Sequence, residues 1–410
     1  MLERIKYQTI EHLNSPLFNP GKIGDLTIGN RFIRSAVSET LADESGLVHQ
    51  PLYTDFYERL AEGGAGLLFT GHCYVEDRGR YTPGMTGLTT GEHAVAMSQS
   101  VDAVHALNVP IFVQLNHAGS QSRVPSVTPL AASAVSNAQT GREPEQATEA
   151  DIQRIISAYR RAAGLARSAG FDGIHIHAGH GYLLSSFLSP YSNRRDDQWG
   201  GSLSNRQRLL LDVVRAVIQG GGGLPVTVKL GMRDFVEGGL QLEDALDTAE
   251  LIVGQEGVAA IEVSAGITSP KIETAQQYTA VDRRRAFQDR LVHRLFSKRP
   301  PEGYFVNEAR ALRQKVDCPV ILVGGLRTVE FMESVVSDGA ADFVSLGRPL
   351  IREPRLVADI RDGRRGIVDC TSCNICLMHE GVHPLRCWRT SIWLLLKHAY
   401  YRLSGQLLYK

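Results

Sequence analysis

Charge of one sign, long apolar runs and evenly spread cysteines are all missing from this chain, and each absence closes off a class of function. Lys plus Arg and Asp plus Glu both total 44 over 410 residues, so the formal charge is zero. No strong field steers such a protein to nucleic acid or to an anionic membrane, and no nucleic-acid partner is expected. No apolar run approaches the roughly 20 residues that a membrane-spanning helix needs, so no transmembrane segment is expected. Met1–Asn14 is polar and carries no apolar signal core, which argues against export. The six cysteines are unevenly placed: Cys73 and Cys318 stand alone, and four crowd into Cys370–Cys387. That pattern excludes a disulfide framework and points to a metal or redox site in a reducing compartment, so the cytoplasm is the expected location.

What is present fits a large globular core with many tight turns: 43% hydrophobic residues and 40 glycines. Leu17–Arg31 contains Lys22-Ile23-Gly24 and Leu26-Thr27-Ile28, two β-like pieces expected to form a hairpin plugging a barrel floor. Buried strands are expected at Phe32–Val37, Leu67–Thr70, Pro110–Leu115, Gly173–His177, Pro225–Leu230, Ala260–Ala265, Pro319–Val323 and Asp342–Leu346. Helical spacing alternates with them at Tyr53–Glu62, His93–Leu107, Glu149–Ser168, Asn205–Ile218, Leu242–Gln255, Glu308–Lys315 and Val329–Ser337. Val124–Glu145, rich in Pro, Ser and Ala, reads as an excursion loop. Eight strands in alternation predict an α/β protein, a (β/α)8 TIM barrel, over residues 1–362. A doubly wound open sheet is the runner-up, but its G-x-G-x-x-G turn is missing from the first strand–helix junction. Residues 363–410 read as a cysteine-rich, amphipathic C-terminal extension.

The chain is organised around Ile174–Tyr182. Its first half alternates like a short buried strand; its second half is broken by glycine and must leave the strand. His177, His180 and Tyr182 therefore fall at a strand exit, where barrels keep catalytic groups. A lone imidazole in an apolar strand is ordinarily a satisfied core group. Three proton-bearing groups within six residues point to chemistry instead. Two more exits read as a phosphate site. Gly324-Gly325 ends the seventh strand and Gly347-Arg348 the eighth, so backbone N–H groups can approach an anion and a guanidinium can grip it.

Further motifs occur in order: Leu17-Phe18, Asn30-Arg31, Gln114-Leu115-Asn116-His117-Ala118-Gly119, the His177–Tyr182 stretch and Phe187-Leu188-Ser189-Pro190. Asn193-Arg194-Arg195-Asp196, Trp199-Gly200-Gly201-Ser202 and Asn205-Arg206 follow. Together they resemble the Old Yellow Enzyme family, FMN-dependent barrels that reduce activated alkenes, over residues 16–362. The resemblance implies FMN at the barrel mouth, NAD(P)H as reductant and a small-molecule alkene substrate. It implies that Ser35, Ala36 and Val37 pass beneath the flavin, and that Ser38 addresses its O4–N5 edge. Gly71 would give a backbone contact and Gln114 would pair with the pyrimidine edge. Lys229 would stand beside N1, where many relatives carry Arg, and Gly324, Gly325, Gly347 and Arg348 would hold the phosphate. His177 and His180 would donate to the substrate carbonyl, Tyr182 would supply a proton to the α-carbon, and phenols would bind as anions. Amine-oxidising relatives leave the direction of the reaction open. The residues alone also leave open a flavin-free lyase or isomerase barrel, and a flavin-binding module without turnover.

Cys370-x2-Cys373-x2-Cys376-x10-Cys387 resembles the four-cysteine site of the 2,4-dienoyl-CoA reductase and trimethylamine dehydrogenase branch, which binds a [4Fe-4S] cluster. The spacing is short by at least one residue in each of the last two gaps. A cluster, a structural zinc and free thiols all remain open. A cluster here would be structural or would need an external electron partner. Ile392–Leu408 places apolar residues near helical spacing. Packing on the barrel, on a second subunit of a homo-oligomer, or on a membrane surface would each suit such a helix. The segment Gly266–Gly303, with Arg283, Arg284, Arg285, Arg290 and Arg294, reads either as a solvated charge run or as a grip for phosphates of NADPH or a CoA thioester.

Overall fold

The computed structural model describes residues 15–137, 140–267 and 302–407; the five arginines of the Arg-rich segment lie outside them. Strands β1 (Gly21–Ile23) and β2 (Leu26–Ile28) pair antiparallel as a hairpin. After them come β3 (Phe32–Arg34), β4 (Leu67–Tyr74) and β5 (Ile111–Asn116). The excursion loop holds a small pair, β6 (Leu130–Ala131) with β7 (Glu145–Gln146). The series resumes with β8 (Gly173–Ala178), β9 (Val226–Gly231), β10 (Val258–Ser264), β11 (Val320–Val323) and β12 (Phe343–Leu346). All strands of the main sheet are parallel, and β12 pairs back onto β3, so the sheet is a closed eight-stranded barrel. Closure decides against the open sheet.

These strands read as near-continuous apolar runs because both faces are covered, one by the barrel interior and one by helices. The helices supply amphipathic faces. Helix Glu149–Ser168 opens with a capping box between Thr148 and Asp151, and buries Ile152, Ile155, Tyr159, Ala162, Ala163 and Ala166 on one side. At the floor, Ile23 and Ile28 of the hairpin pack with Ile33, Phe69, Phe112 and Phe343. The hairpin thus plugs the end away from the strand exits.

Two local differences from the sequence expectation matter for the site. Strand β4 does not stop at Gly71 but runs to Tyr74, with a register shift against β5 between Phe69 and His72. A bulge of this kind re-aims side chains, and His72 becomes part of the wall. A short helix, Leu183–Leu188, follows Tyr182 at once. All six of its residues are buried, so it shows no polar face by which periodicity would reveal it.

The C-terminal extension is stitched to the barrel rim. Gly381 N donates to Thr40 Oγ1 and Leu385 N to Glu39 O, each at 2.8 Å, and Tyr81 OH donates to Glu380 Oε2 at 3.2 Å. Its last helix, Ile392–Leu403, buries His398 but leaves Ile392, Trp393, Leu396, Tyr400 and Leu403 exposed. Most of its apolar side chains therefore do not pack on the barrel. Among the described residues no helix is long and apolar enough to cross a membrane.

Candidate active site

The strand exits converge on one cleft with 1410 Å³ of empty space, its open mouth included. His177, His180 and Tyr182 line it after β8, and Gly324, Gly325, Gly347 and Arg348 line it after β11 and β12. Strands β8 and β12 are four positions apart in the ring of eight, so the two groups face each other across the barrel mouth. Between them the cleft is lined by Ser35, Ala36, Val37 and Ser38 after β3, Gln114 on β5 and Lys229 on β9. Gly71 does not line it. Its N–H donates to Glu39 Oε1 at 3.0 Å, and the wall at that strand is His72.

The proton-bearing groups pack as a cluster. His177 lies 5.0 Å from His180 and 4.9 Å from Tyr182, ring centre to ring centre. Gly179 N donates to His177 Nδ1 at 3.2 Å, which places the ring proton on Nε2. His180 takes a left-handed backbone, φ +58°, at the strand exit. Its Nε2 lies 2.8 Å from Ser264 Oγ, leaving Nδ1 for a ligand. Strain of this kind concentrates at functional sites. Burial, followed by the charge of neighbouring Lys229, holds His180 down at about 3 and His72 at about 4. Burial and then the adjoining His180 lower His177 well below the usual histidine range. All three rings are therefore neutral N–H donors or acceptors at physiological pH, not cations.

Across the mouth the backbone is bare. Gly325 has φ +73°, and a side chain there would come within 2.8 Å of the Tyr304 ring. Arg348 donates to Asn374 Oδ1 from the extension. Arg327 lines the same region, with Nη2 donating to Tyr304 OH at 2.7 Å. On β5, Gln114 Nε2 is buried without a hydrogen-bond partner among the described residues. An orphaned amide in a cleft is the mark of a polar ligand edge, since leaving it unpaired costs about 1–3 kcal/mol.

Several lining residues were not legible beforehand: His72, Tyr81, Ser264, Arg327, Ser345 and Glu380. Tyr81 stacks edge-on to Tyr182 at 5.4 Å, and its hydroxyl binds a carboxylate 299 residues away. No local signal could reveal that pairing. Beneath the cleft lies Glu262, visible in the sequence as one charge within Ile261-Glu262-Val263. Its oxygens accept from Lys229, His175, Ser35 and Ser345.

A second pocket, with 470 Å³ of empty space, is lined by Cys370, Cys373, Cys376 and Cys387 together with Arg348. Burial pushes the Cys376 thiol up to about 12, against the pull of Arg348. Among the described residues no three His, Cys, Asp or Glu side chains are arranged to hold a metal ion. Cys370 also lines the main cleft, so the two sites adjoin.

A closed parallel barrel that brings His177, His180 and Tyr182 opposite the Gly324-Gly325 and Gly347-Arg348 turns has its cleft at the strand exits, the end where barrel enzymes carry their sites. Residues 16–366 match the NADH:flavin oxidoreductase / NADH oxidase family, and the chain belongs to it. It is 34% identical over 366 residues to an NADH oxidase of Thermoanaerobacter brockii, covering 88% of this chain and 53% of that protein. The chain thus spans about half of that relative's length. It is 30% identical over 347 residues to an NADPH dehydrogenase of Listeria welshimeri, covering 84% of this chain and 94% of the relative. The old yellow enzyme homologue from Zymomonas mobilis superposes with a TM-score of 0.69 at 26% identity, covering 87% of this chain and 96% of that one. A 2-naphthoyl-CoA reductase shares the fold with a TM-score of 0.81 at 24% identity, covering 91% of this chain and 56% of that one.

Proposed function

We propose that this protein is an FMN-dependent reductase that takes hydride from NADH or NADPH and delivers it to the activated C=C bond of an enone, enoate or enoyl thioester. The observation that carries the reading is the single cleft in which His177, His180 and Tyr182 face a bare glycine–arginine clasp, with an orphaned Gln114 amide between them.

The residues present fit FMN. Gly324, Gly325, Gly347 and Arg348 would take the phosphate, and Gln114 a polar ring edge with matching donor and acceptor. Ser35, Ala36, Val37 and Ser38 would lie along the ring, and Lys229 would face its negative edge. Bound there, FMN would supply hydride exchange with the nicotinamide and with the alkene. His177 and His180 present neutral N–H groups where a substrate carbonyl gains negative charge, and losing one such donor typically costs about a hundredfold or more. Tyr182 provides a proton to the adjacent carbon. A phenol, with an ordinary pKa of about 10, keeps its proton at neutral pH until a strongly basic carbon forms.

The four-cysteine pocket supports a companion reading. Four cysteines around one roomy pocket suit a [4Fe-4S] cluster held by Cys370, Cys373, Cys376 and Cys387. Such a cluster would be structural or would pass electrons to an external partner.

One preparation tests both readings. Protein purified without oxygen should carry a flavin absorbance band that bleaches with NADH or NADPH and returns on addition of an enone. Iron and acid-labile sulfide, not zinc, should be present near four per chain if the cluster reading holds. A colourless protein still empty after FMN is added would favour a lyase or isomerase. Bleaching without alkene turnover, but with amine oxidation, would favour a dehydrogenase.

A further inference from the structure

The barrel interior holds one carboxylate that the chemistry above does not use. Glu262 on β10 is fully buried and both its oxygens are engaged. Oε2 accepts from Lys229 Nζ at 2.8 Å and from His175 Nε2 at 3.0 Å. Oε1 accepts from Ser345 Oγ at 2.7 Å and from Ser35 Oγ at 3.2 Å. Lys229 Nζ also reaches Ser35 Oγ at 3.3 Å. The donors come from β12, β8, β9 and the turn after β3, so closing the barrel assembles the cage.

Stability is a poor reason for this arrangement. A buried ion pair is commonly no more stable than apolar residues of the same volume. What distinguishes it is position, since its cation, Lys229, lines the cleft. Burial alone would favour a neutral carboxyl, but Lys229 and His175 hold Glu262 well below the ordinary carboxylate range, and it is ionised.

We propose that Glu262 is a positioning residue that sets the electron affinity of the flavin: it fixes Lys229 Nζ and offsets that cation's field where the flavin ring would lie. The inference rests on the flavin reading. Read from sequence, Lys229 is a lone cation that makes the ring easier to reduce. In the structure it is half of an ion pair, whose two fields oppose each other. Glu262 thereby keeps the reduced cofactor a strong hydride donor, which suits weakly electrophilic alkenes such as enoates and enoyl thioesters.

The test is the two-electron potential of the flavin in the holoprotein, read by equilibration with a redox dye. Glu262→Gln keeps the shape and removes the charge. It should shift the equilibrium toward reduced flavin at least tenfold, ~30 mV upward for a two-electron couple. Lys229→Met with Glu262→Gln buries no charge, so it is the variant to read should Glu262→Gln fail to fold. Its equilibrium should stay within about threefold of wild type, because a pair of opposed charges has been replaced by a neutral one. A drop of tenfold or more in that double variant would mean that Lys229 acts uncompensated, and would overturn the proposal. So would an unmoved potential in a folded Glu262→Gln protein. A wild-type chain that takes up no flavin would sink the reading of the cleft itself, which a yellow protein with unchanged potentials would not.

Discussion

Tyr182 separates the two half-reactions at the scale of a single side chain. It is N-terminal to the buried helix Leu183–Leu188 and packs against His177, His72 and Tyr81 at ring distances of 4.9 to 5.4 Å. Tyr182→Phe keeps those ring contacts and removes only the hydroxyl. Flavin reduction by NAD(P)H should therefore proceed at nearly the wild-type rate in stopped flow, while re-oxidation by an enone slows by about a hundredfold, the usual worth of a positioned acid. If both half-reactions run normally, another group supplies the proton, and Tyr81 is then the neighbour to test. At this scale the sequence was most informative where polar groups interrupt an apolar strand at its exit, as His177 and His180 do. It was silent on Tyr81 and Glu380, whose meeting depends on the chain closing across 299 residues. Glu262 is an intermediate case. A charge within an apolar strand announces burial, but which partner neutralises it follows only from the ring order of the strands.

Among the elements, β8 is the one whose geometry the site depends on, and its first residue shows why. Gly173 pairs with Phe112 of β5, and a Cβ there would land on the Phe112 ring, which is part of the floor beneath the cleft. Gly173→Ala should therefore overpack the floor and cost about 1–3 kcal/mol, read as a lower urea midpoint at unchanged slope. An unshifted midpoint would mean that the floor yields more than its packing suggests. Alternation of apolar strands and amphipathic helices made the barrel legible, because both periodicities follow from two-sided burial of a parallel sheet. Element ends were less legible. The extension of β4 past Gly71 depends on a bulge against β5, and a non-local register has no local signal. The helix Leu183–Leu188 was hidden by complete burial. The four cysteines were legible as a cluster, and the structure adds what spacing could not, that Arg348 lines both their pocket and the main cleft.

For the molecule as a whole, the buried imidazoles make a prediction about acid. His72 is held at about 4 and His180 at about 3, in each case by burial and then by the charge of Lys229, and His177 is displaced in the same direction. In the unfolded chain these rings return to about 6.5. Between pH 6.5 and about 4 the unfolded state therefore binds protons that the folded state refuses, and stability falls as the pH falls through that window. A pH of 5 lies about 1.5 units below the unfolded value of each of the first two rings and above the folded one, which is worth about 2 kcal/mol apiece, or roughly 4 together. Glu39, which burial holds above the ordinary carboxylate range, works in the opposite sense and offsets part of this. Glu76 and Asp151, both lowered to about 2, add their losses only below about pH 4 and do not blur the window. Urea titrations at pH 7.5 and 5.0 should show the folded state weaker at pH 5.0 by a few kcal/mol, and His72→Asn should reduce the difference by about 2 kcal/mol, the share of that one ring. Equal stability at the two pH values would mean that the rings accept protons inside the barrel. The site would then present cations, not neutral donors, to whatever oxygen it binds.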